Sequence, residues 1–425
     1  MSPSSRKLAN DCFATPRKLM THEEAMALLR RSAAALTEAV TMPLARARGR
    51  ILARDVIAPR DIPAFDNAAM DGFAIAHADL DGQGETVLPV SMRVFAGDVL
   101  KPLPRGTAAR IFTGAPMPEG ADTCVMQEDA PLEGERAIFP PGVKKGINVR
   151  PAGEDQAKGA PVVRRGFRLR PPELAAIAST GQADVEVFKP LRVALMSSGD
   201  EIIRPGAPWR EGRIYDANHF ILRGALEALG AEVADYGILP DRRETVEAAY
   251  AKAAAECDVI VASAGASQGE ADYMAEAVAR MGRLHAWRLA IKPGKPIGFG
   301  QIGDTVFLGL PGNPVAAFVT FLIYGHPLLS ALGGHVWREP ARHLLPAGFS
   351  VKKRKTGRRE FLRGWVETDA GGASAVRRYP RDGSGLISSA VAAEGVIELV
   401  EETESIAEGD LVRFIPFGAF GIGPK

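Results

Sequence analysis

The stretch between Leu191 and Gly334 constrains the fold most, because short apolar runs alternate there with longer segments of helical periodicity. The pattern predicts strand Leu191–Met196 then helix Asn218–Leu229, and strand Ala231–Leu239 then helix Glu244–Ala255. Strand Val259–Ser263 then helix Ala271–Met281 follow, with strand Ala286–Ile291, strand Val306–Leu310 and helix Val315–Leu322 closing the series. Strands that alternate with helices form βαβ units and a mostly parallel, doubly wound sheet. We assign this α/β domain to residues 187–335.

The flanks have a different texture. Residues 1–20 form a loose polar tail with no secretory pattern. A helix starts at Thr21, where Glu24 completes a capping box and Ala25, Leu28, Leu29 and Leu36 recur at helical spacing. From residue 56 to 155, short runs such as Ala109–Phe112 and Thr123–Met126 alternate with Pro, Gly and Asp turns, which predicts a β-rich domain. Glu173–Ser179 reads as a helix returning onto the first one. A helical linker domain of residues 21–55 and 156–186 would then carry the β-rich domain as an insertion. Residues 340–425, with runs Phe361–Val366, Val396–Leu399 and Leu411–Phe414, read as a small β domain. The fold class is thus a multidomain α/β protein, in keeping with 425 residues.

Composition excludes several classes. A net charge of +1 supplies no general field for nucleic acid or membrane. Cys12, Cys124 and Cys257 are far apart and odd in number, which gives neither a disulfide framework nor zinc spacing and fits a reducing cytosol. Thr305–Trp337 carries no Asp, Glu, Lys or Arg, but Pro311, Pro314 and Pro327 interrupt it. The uninterrupted piece Val315–Tyr324 would rise only ~15 Å, half a bilayer core, so a buried helix is expected.

In an open parallel sheet, ligands bind outside the carboxyl ends of the strands. The loops expected there hold Ser197, Ser198, Gly199 and Glu201; Asp241; Ser263, Gly265, Ser267 and Asp272; Lys292 and Lys295; and Pro311, Gly312, Asn313 and Pro314. Hydroxyls and backbone amides donate to phosphate, lysines neutralise it, and carboxylates hold magnesium. Such a rim suits a phosphorylated ligand. Each piece has a plainer reading: Glu201 as a turn residue, Asp272 as a first-turn acid favoured by the helix dipole, Lys292–Pro296 as a solvated loop. No GxxxxGK[ST] pattern occurs, and no GxGxxG follows a strand to open a helix, which disfavours P-loop NTPases and simple dehydrogenases. The run Lys352-Lys353-Arg354-Lys355 reads as a solvated face.

Taken together, PAFDNAAMDGFA, IFTGAPMPEGADTCVMQED, PPG with NVRPAGED, SSGDEI, GRIYDANH, GEADY, LAIKPGKP and LPGNPVA resemble, in order, the molybdopterin molybdenumtransferase family. This family includes bacterial MoeA and the gephyrin E domain. The resemblance implies a cytosolic transferase that inserts molybdate into adenylated molybdopterin, with magnesium-dependent release of AMP. It implies a homodimer whose active site is shared, and an upstream molybdopterin adenylyltransferase as a partner. The functional positions it carries over are Asp71, Thr113, Asp155, Glu201, Asp241, Asp272, Lys292 and Lys295, with Glu201, Asp241 and Asp272 as magnesium ligands. It also implies substrate contacts at the Ser, Gly, Asn and Pro positions of the rim, and molybdate contacts at Arg358 and Ser388.

Three positions depart from the family pattern: Ala68 replaces Ser, Phe73 replaces Tyr and Ala264 replaces Gly, so the fine pterin contacts are expected to differ. Two other readings are an adenylyltransferase, which would not need the N-terminal β-rich part, and a non-enzymatic scaffold, which would tolerate loss of the acids.

Overall fold

The structure is a computed structural model and describes residues 19–263 and 273–423. Its centre is a six-stranded sheet in the order Glu232–Leu239, Arg192–Ser198, Val259–Ser263, Thr305–Leu310, Pro296–Ile302, Arg283–Arg288. The first four strands run parallel, and the last two join antiparallel. Alternating side chains face opposite sides, as a strand requires. Val193 and Leu195 pack with helices Ala217–Leu229 and Pro314–Leu332, while Ala194 and Met196 pack with helices Arg243–Glu256 and Tyr273–Met281. The sheet is therefore covered on both faces, as expected. Asp216 starts helix Ala217–Leu229 by accepting the His219 amide at 3.0 Å.

Chain order sets the position of the site. From Arg192–Ser198 the chain moves outward to Glu232–Leu239, then returns to the other side of the starting strand at Val259–Ser263. The order reverses between Arg192–Ser198 and Val259–Ser263. A crevice opens at such a reversal, outside the carboxyl ends.

Three details correct the sequence reading. The expected strand Ala286–Ile291 is two pieces: Arg283–Arg288 in the central sheet, and Ile291–Lys292 paired with Arg359–Glu360 of the C-terminal sheet. Strand Pro296–Ile302 went unpredicted, because Gly298 and Gly300 dilute its apolar alternation. The helix after Pro314 does not stop near Leu322. A π-helical turn at Phe321–Gly325 carries it into His326–Leu332, where Pro327 sits in the first turn and needs no amide partner. This helix, Pro314–Leu332, is long and apolar enough to cross a membrane, but 89% of its apolar window is buried inside the molecule, as in a core helix.

Thr21 and Glu24 form the expected capping box at the start of helix His22–Ser32. That helix packs on the α/β core through Ala25, Leu28 and Leu29, not on helix Pro171–Ser179. The linker is held by strand pairs as much as by helices. Ala39–Pro43 pairs with Asp184–Phe188, and Val56–Ile57 pairs with Pro161–Val163. The chain thus leaves and returns side by side around the β-rich segment. That segment forms a six-stranded sheet built from Gly72–Ile75, Thr86–Val94, Ala108–Ile111, Thr123–Met126, Leu132–Glu133 and Arg136–Phe139.

The C-terminal sheet centres on Arg359–Thr368, Gly395–Leu399 and Leu411–Pro416. It carries a buried ion network. Glu398, with a fully buried side chain, accepts Arg342 at 2.8 Å and Arg359 at 3.2 Å, and Arg413 lies at 3.6 Å. Arg354 is part of this interior, 3.0 Å from Glu360, so the run Lys352–Lys355 is not simply a solvated face.

Candidate active site

Three strands end at one level on the rim, where Ser197 is in register with Ser263, and Ser263 with Leu310. Ser197 is buried, and its hydroxyl has no hydrogen-bond partner among the described residues. The next residue, Ser198, donates to Asp241 Oδ1 at 2.9 Å, which joins the loops that follow two adjacent strands. Asp200 Oδ1 accepts the Asp241 amide at 3.3 Å across the same gap. Glu201 is exposed beside Gly199, close enough that a Cβ there would meet its carboxylate at 2.6 Å. Asp200, Glu201 and Asp241 thus form an acidic wall on one side of the crevice.

The other side is held by Asn218, which sequence reasoning did not single out although it lies within GRIYDANH. Its amide nitrogen donates to Ser263 Oγ at 2.7 Å and to the Gly312 carbonyl at 2.7 Å. Gly312 and Asn313 are exposed, Pro311 is buried, and Pro314 opens the following helix. Gly265, Ser267 and Asp272, and the Ala264 departure, lie outside the described residues. Among the described residues no three His, Cys, Asp or Glu side chains converge as a metal site.

The lysine loop reaches a second feature, a cleft of about 360 Å³ between the α/β and C-terminal domains. Its lining includes Lys292, Lys295, Arg358 and Arg363 against Glu360 and Asp382, so cations outnumber carboxylates. Two contacts tie it to the rim: the Ile291–Lys292 strand pair, and the Val315 amide, which donates to the Ser384 carbonyl at 2.9 Å. Gly294 turns the loop at φ +90°, and a Cβ there would collide with Thr320 Oγ1.

The two lysines differ. Lys292 Nζ lies 2.5 Å from Glu360 and 3.6 Å from Asp382, so its charge is largely answered within the protein. Lys295 has no ion pair among the described residues. Arg363 is a further residue that sequence reasoning missed. It is buried, yet its donors reach only neutral acceptors: Ser389 Oγ at 3.0 Å and the carbonyls of Phe361 and Gly383 at 3.3 and 3.4 Å. Burial lowers its pKa, as expected for a guanidinium with no carboxylate in contact. Nothing in the sequence marks it, since it reads as one polar residue in the apolar strand run EFLRGW. Of the two expected molybdate contacts, Arg358 lines the cleft. Ser388 instead meets the Tyr379 hydroxyl at 3.2 Å, and its neighbour Ser389 is the one joined to Arg363.

A third group lies on the β-rich domain. Asp71 Oδ1 accepts both the Thr113 amide at 2.8 Å and the Thr113 hydroxyl at 2.7 Å. These bonds, the backbone one first, hold the exposed carboxyl below the usual range. Gly72 is required next to it, because a Cβ would collide with the Val125 carbonyl. Asp155 is exposed, and its amide donates to the Ile62 carbonyl at 3.0 Å. No hydrogen bond or ion pair among the described residues joins Asp71, Thr113 or Asp155 to the rim of the same chain. The departures Ala68 and Phe73 are not surface contacts. Ala68 is fully buried, and Phe73 packs edge-on to Phe139 beneath Arg110, so both are core substitutions.

Known proteins match the whole of this arrangement. Residues 20–181 match the MoeA N-terminal region (domain I and II), 194–331 a probable molybdopterin binding domain, and 345–417 the MoeA C-terminal region (domain IV). The molybdopterin molybdenumtransferase of Haemophilus influenzae is 38% identical over 384 residues, covering 90% of this chain and 94% of that protein. Molybdopterin molybdenumtransferase 2 of Mycobacterium tuberculosis is 32% identical, covering 92% and 98%. The crystal structure of the molybdopterin biosynthesis MoeA protein of Pyrococcus horikoshii superposes with a TM-score of 0.79 at 29% identity, covering 94% of this chain and all of that one. The chain belongs to the MoeA family of molybdopterin molybdenumtransferases, and it is a transferase of molybdenum cofactor biosynthesis.

Proposed function

We propose that the chain uses this crevice to insert molybdate into adenylated molybdopterin, with release of AMP. The observation that carries the reading is the junction of two unlike surfaces. A hydroxyl- and acid-bearing rim at the strand reversal is continuous with a cation-rich cleft reached by the Lys292–Pro296 loop. A pterin nucleotide needs the first, and a tetrahedral oxyanion needs the second.

In this reading Lys295, Arg358 and Arg363 bind and orient molybdate. Fixed cations in a recessed cleft stabilise developing negative charge without reorganising. Lys292 holds the loop in place through Glu360 and contributes charge at the cleft mouth. Ser198 orients Asp241 by donating to its Oδ1. The hard oxygen donors of Glu201 and Asp241, on neighbouring loops, fit magnesium, with Asp272 completing the set. When bound, the ion would draw charge from the phosphoanhydride as AMP leaves.

We further propose a homodimer in which Asp71 and Thr113 of one protomer serve the rim of the other. Among the described residues neither bonds to its own rim, which supports this. Asp155 belongs to the same surface. Cys124 and Cys257 are unpaired and buried, which suits a cytosolic enzyme. A molybdopterin adenylyltransferase would supply the substrate. The test supplies adenylated molybdopterin to the purified chain and measures AMP with molybdate and magnesium present, then with each omitted. AMP release that needs both supports the reading. Release that needs neither contradicts it.

A further inference from the structure

Helix His22–Ser32 and the C-terminal sheet enclose a groove of about 790 Å³ that shares no lining residue with the cleft of the lysine loop. The two lie back to back across the start of strand Arg359–Thr368. Successive strand residues face opposite sides, so Arg359 lines the groove while Arg358 and Glu360 line the cleft.

Five arginines converge on the groove from separate elements. Arg30 and Arg31 stand in the last turn of the helix. Arg342 precedes strand His343–Pro346, in which Leu344 is in register with Arg413, and Arg359 comes from the neighbouring part of the sheet. The lining carboxylates are Glu23 and Glu339. Glu398, behind them, answers Arg342 at 2.8 Å and Arg359 at 3.2 Å, and leaves Arg413 at 3.6 Å. Arg30 and Arg31 have no ion pair or hydrogen bond among the described residues. The positive field reaches the floor of the groove, where burial and then Arg359, Arg342 and Arg413 keep His22 neutral down to a pKa of about 3. Cations in a last turn are favoured by the helix dipole, which accounts for Arg30 and Arg31 on their own helix. It does not account for Arg342, Arg359 and Arg413 facing the same space from another domain.

We propose that this groove is a second anion site, which takes a small molecule carrying a chain of phosphates. Arg30, Arg31 and Arg413 bind the phosphates, and the Arg342–Glu398–Arg359 network is the fixed floor beneath them. Guanidinium forks match phosphate oxygens two at a time, and cations spread over a helix and a sheet suit several linked phosphates better than one. Leu344, 62% exposed at the groove wall, offers an apolar surface to the rest of the ligand.

The test is calorimetric titration of the full chain with inorganic triphosphate, in a Lys295→Ala/Arg358→Ala background that removes cations from the cleft. One triphosphate should bind per chain. Arg30→Ala/Arg31→Ala and Arg413→Gln should each weaken it about tenfold or more, the size of one charge-assisted hydrogen bond. Arg105→Ala, an exposed arginine of the β-rich domain, should leave it unchanged. Guanosine triphosphate in a parallel arm separates two sources of the same chemistry. Tighter binding than triphosphate identifies a nucleotide and equal binding a bare phosphate chain, and both uphold the site. No binding overturns the proposal, as does binding that the groove variants leave intact or that Arg105→Ala weakens equally. The two groove variants lie on different elements, so either one decides the matter if the other does not fold.

Discussion

Lys295→Ala should separate activity from stability. Lys295 is half-buried on the cleft wall and has no ion pair among the described residues, whereas Lys292 three positions earlier is held at 2.5 Å by Glu360. Removing Lys295 breaks no ion pair or side-chain hydrogen bond among the described residues, so the loss of stability should stay within about 0.5 kcal/mol. For a chain of 425 residues that is a fall in Tm of less than about 1 °C. Against a bound oxyanion the same ammonium makes a charge-assisted hydrogen bond worth about 1.5–3 kcal/mol. At ~1.4 kcal/mol per decade this is about ten- to a hundredfold in molybdate affinity. Lys295→Arg keeps the charge on a larger planar group and should rescue only in part. Calorimetric titration with molybdate and a thermal melt read the two quantities independently. Lys292→Ala should show the opposite balance, losing measurable stability as Glu360 and Asp382 lose a partner. A large fall in Tm for Lys295→Ala, with molybdate affinity unchanged, would refute the argument and make the loop a structural element.

Asp272→Asn should nearly abolish magnesium-dependent AMP release without loss of fold, since an amide cannot neutralise a divalent ion; unchanged turnover at limiting magnesium would remove Asp272 from the metal set. Light scattering should show a dimer, and mixing Asp71→Ala with Asp272→Ala should restore part of the activity after subunit exchange; no recovery would count against a shared site. Glu398→Gln should cost about 3–5 kcal/mol, because it leaves the buried Arg342 and Arg359 without their common carboxylate, and denaturant unfolding would read the loss. Burial, then the charges of Arg359, Arg342 and Arg413, lower the pKa of His22 to about 3. The unfolded chain therefore takes the proton first, and this contribution to stability is full above pH 6.5 and declines from there toward pH 3. At pH 5 the loss from His22 is ~2 kcal/mol, which His22→Gln should remove.

The α/β domain was readable because each strand is a short apolar run and each helix a longer periodic one. Even the capping box at Thr21 and Glu24 formed as read. The rim loops could be placed because the carboxyl ends of parallel strands share one edge. Other features depended on tertiary context. Pro296–Ile302 carries two glycines that hide its alternation, and Pro327 is tolerated only because a π turn precedes it. The separate roles of Lys292 and Lys295 depend on Glu360, which lies 65 positions or more away in sequence and arrives through a strand pair. Arg363 and Asn218 were missed for a related reason. A single polar residue in a strand or in a first helical turn gains meaning only from what it faces. Ala68 and Phe73 were read as departures that bear on the fine pterin contacts; their burial was not legible, because a surface motif and the core beneath it share the same short segment.

The most direct test of the central claim is the ratio of molybdenum bound in the pterin product to AMP released. It would be measured by elemental analysis and chromatography on one reaction of the purified chain with adenylated molybdopterin, molybdate and magnesium. Equal amounts are expected, with both lost together when molybdate is left out. AMP released in full without molybdenum in the product would contradict it.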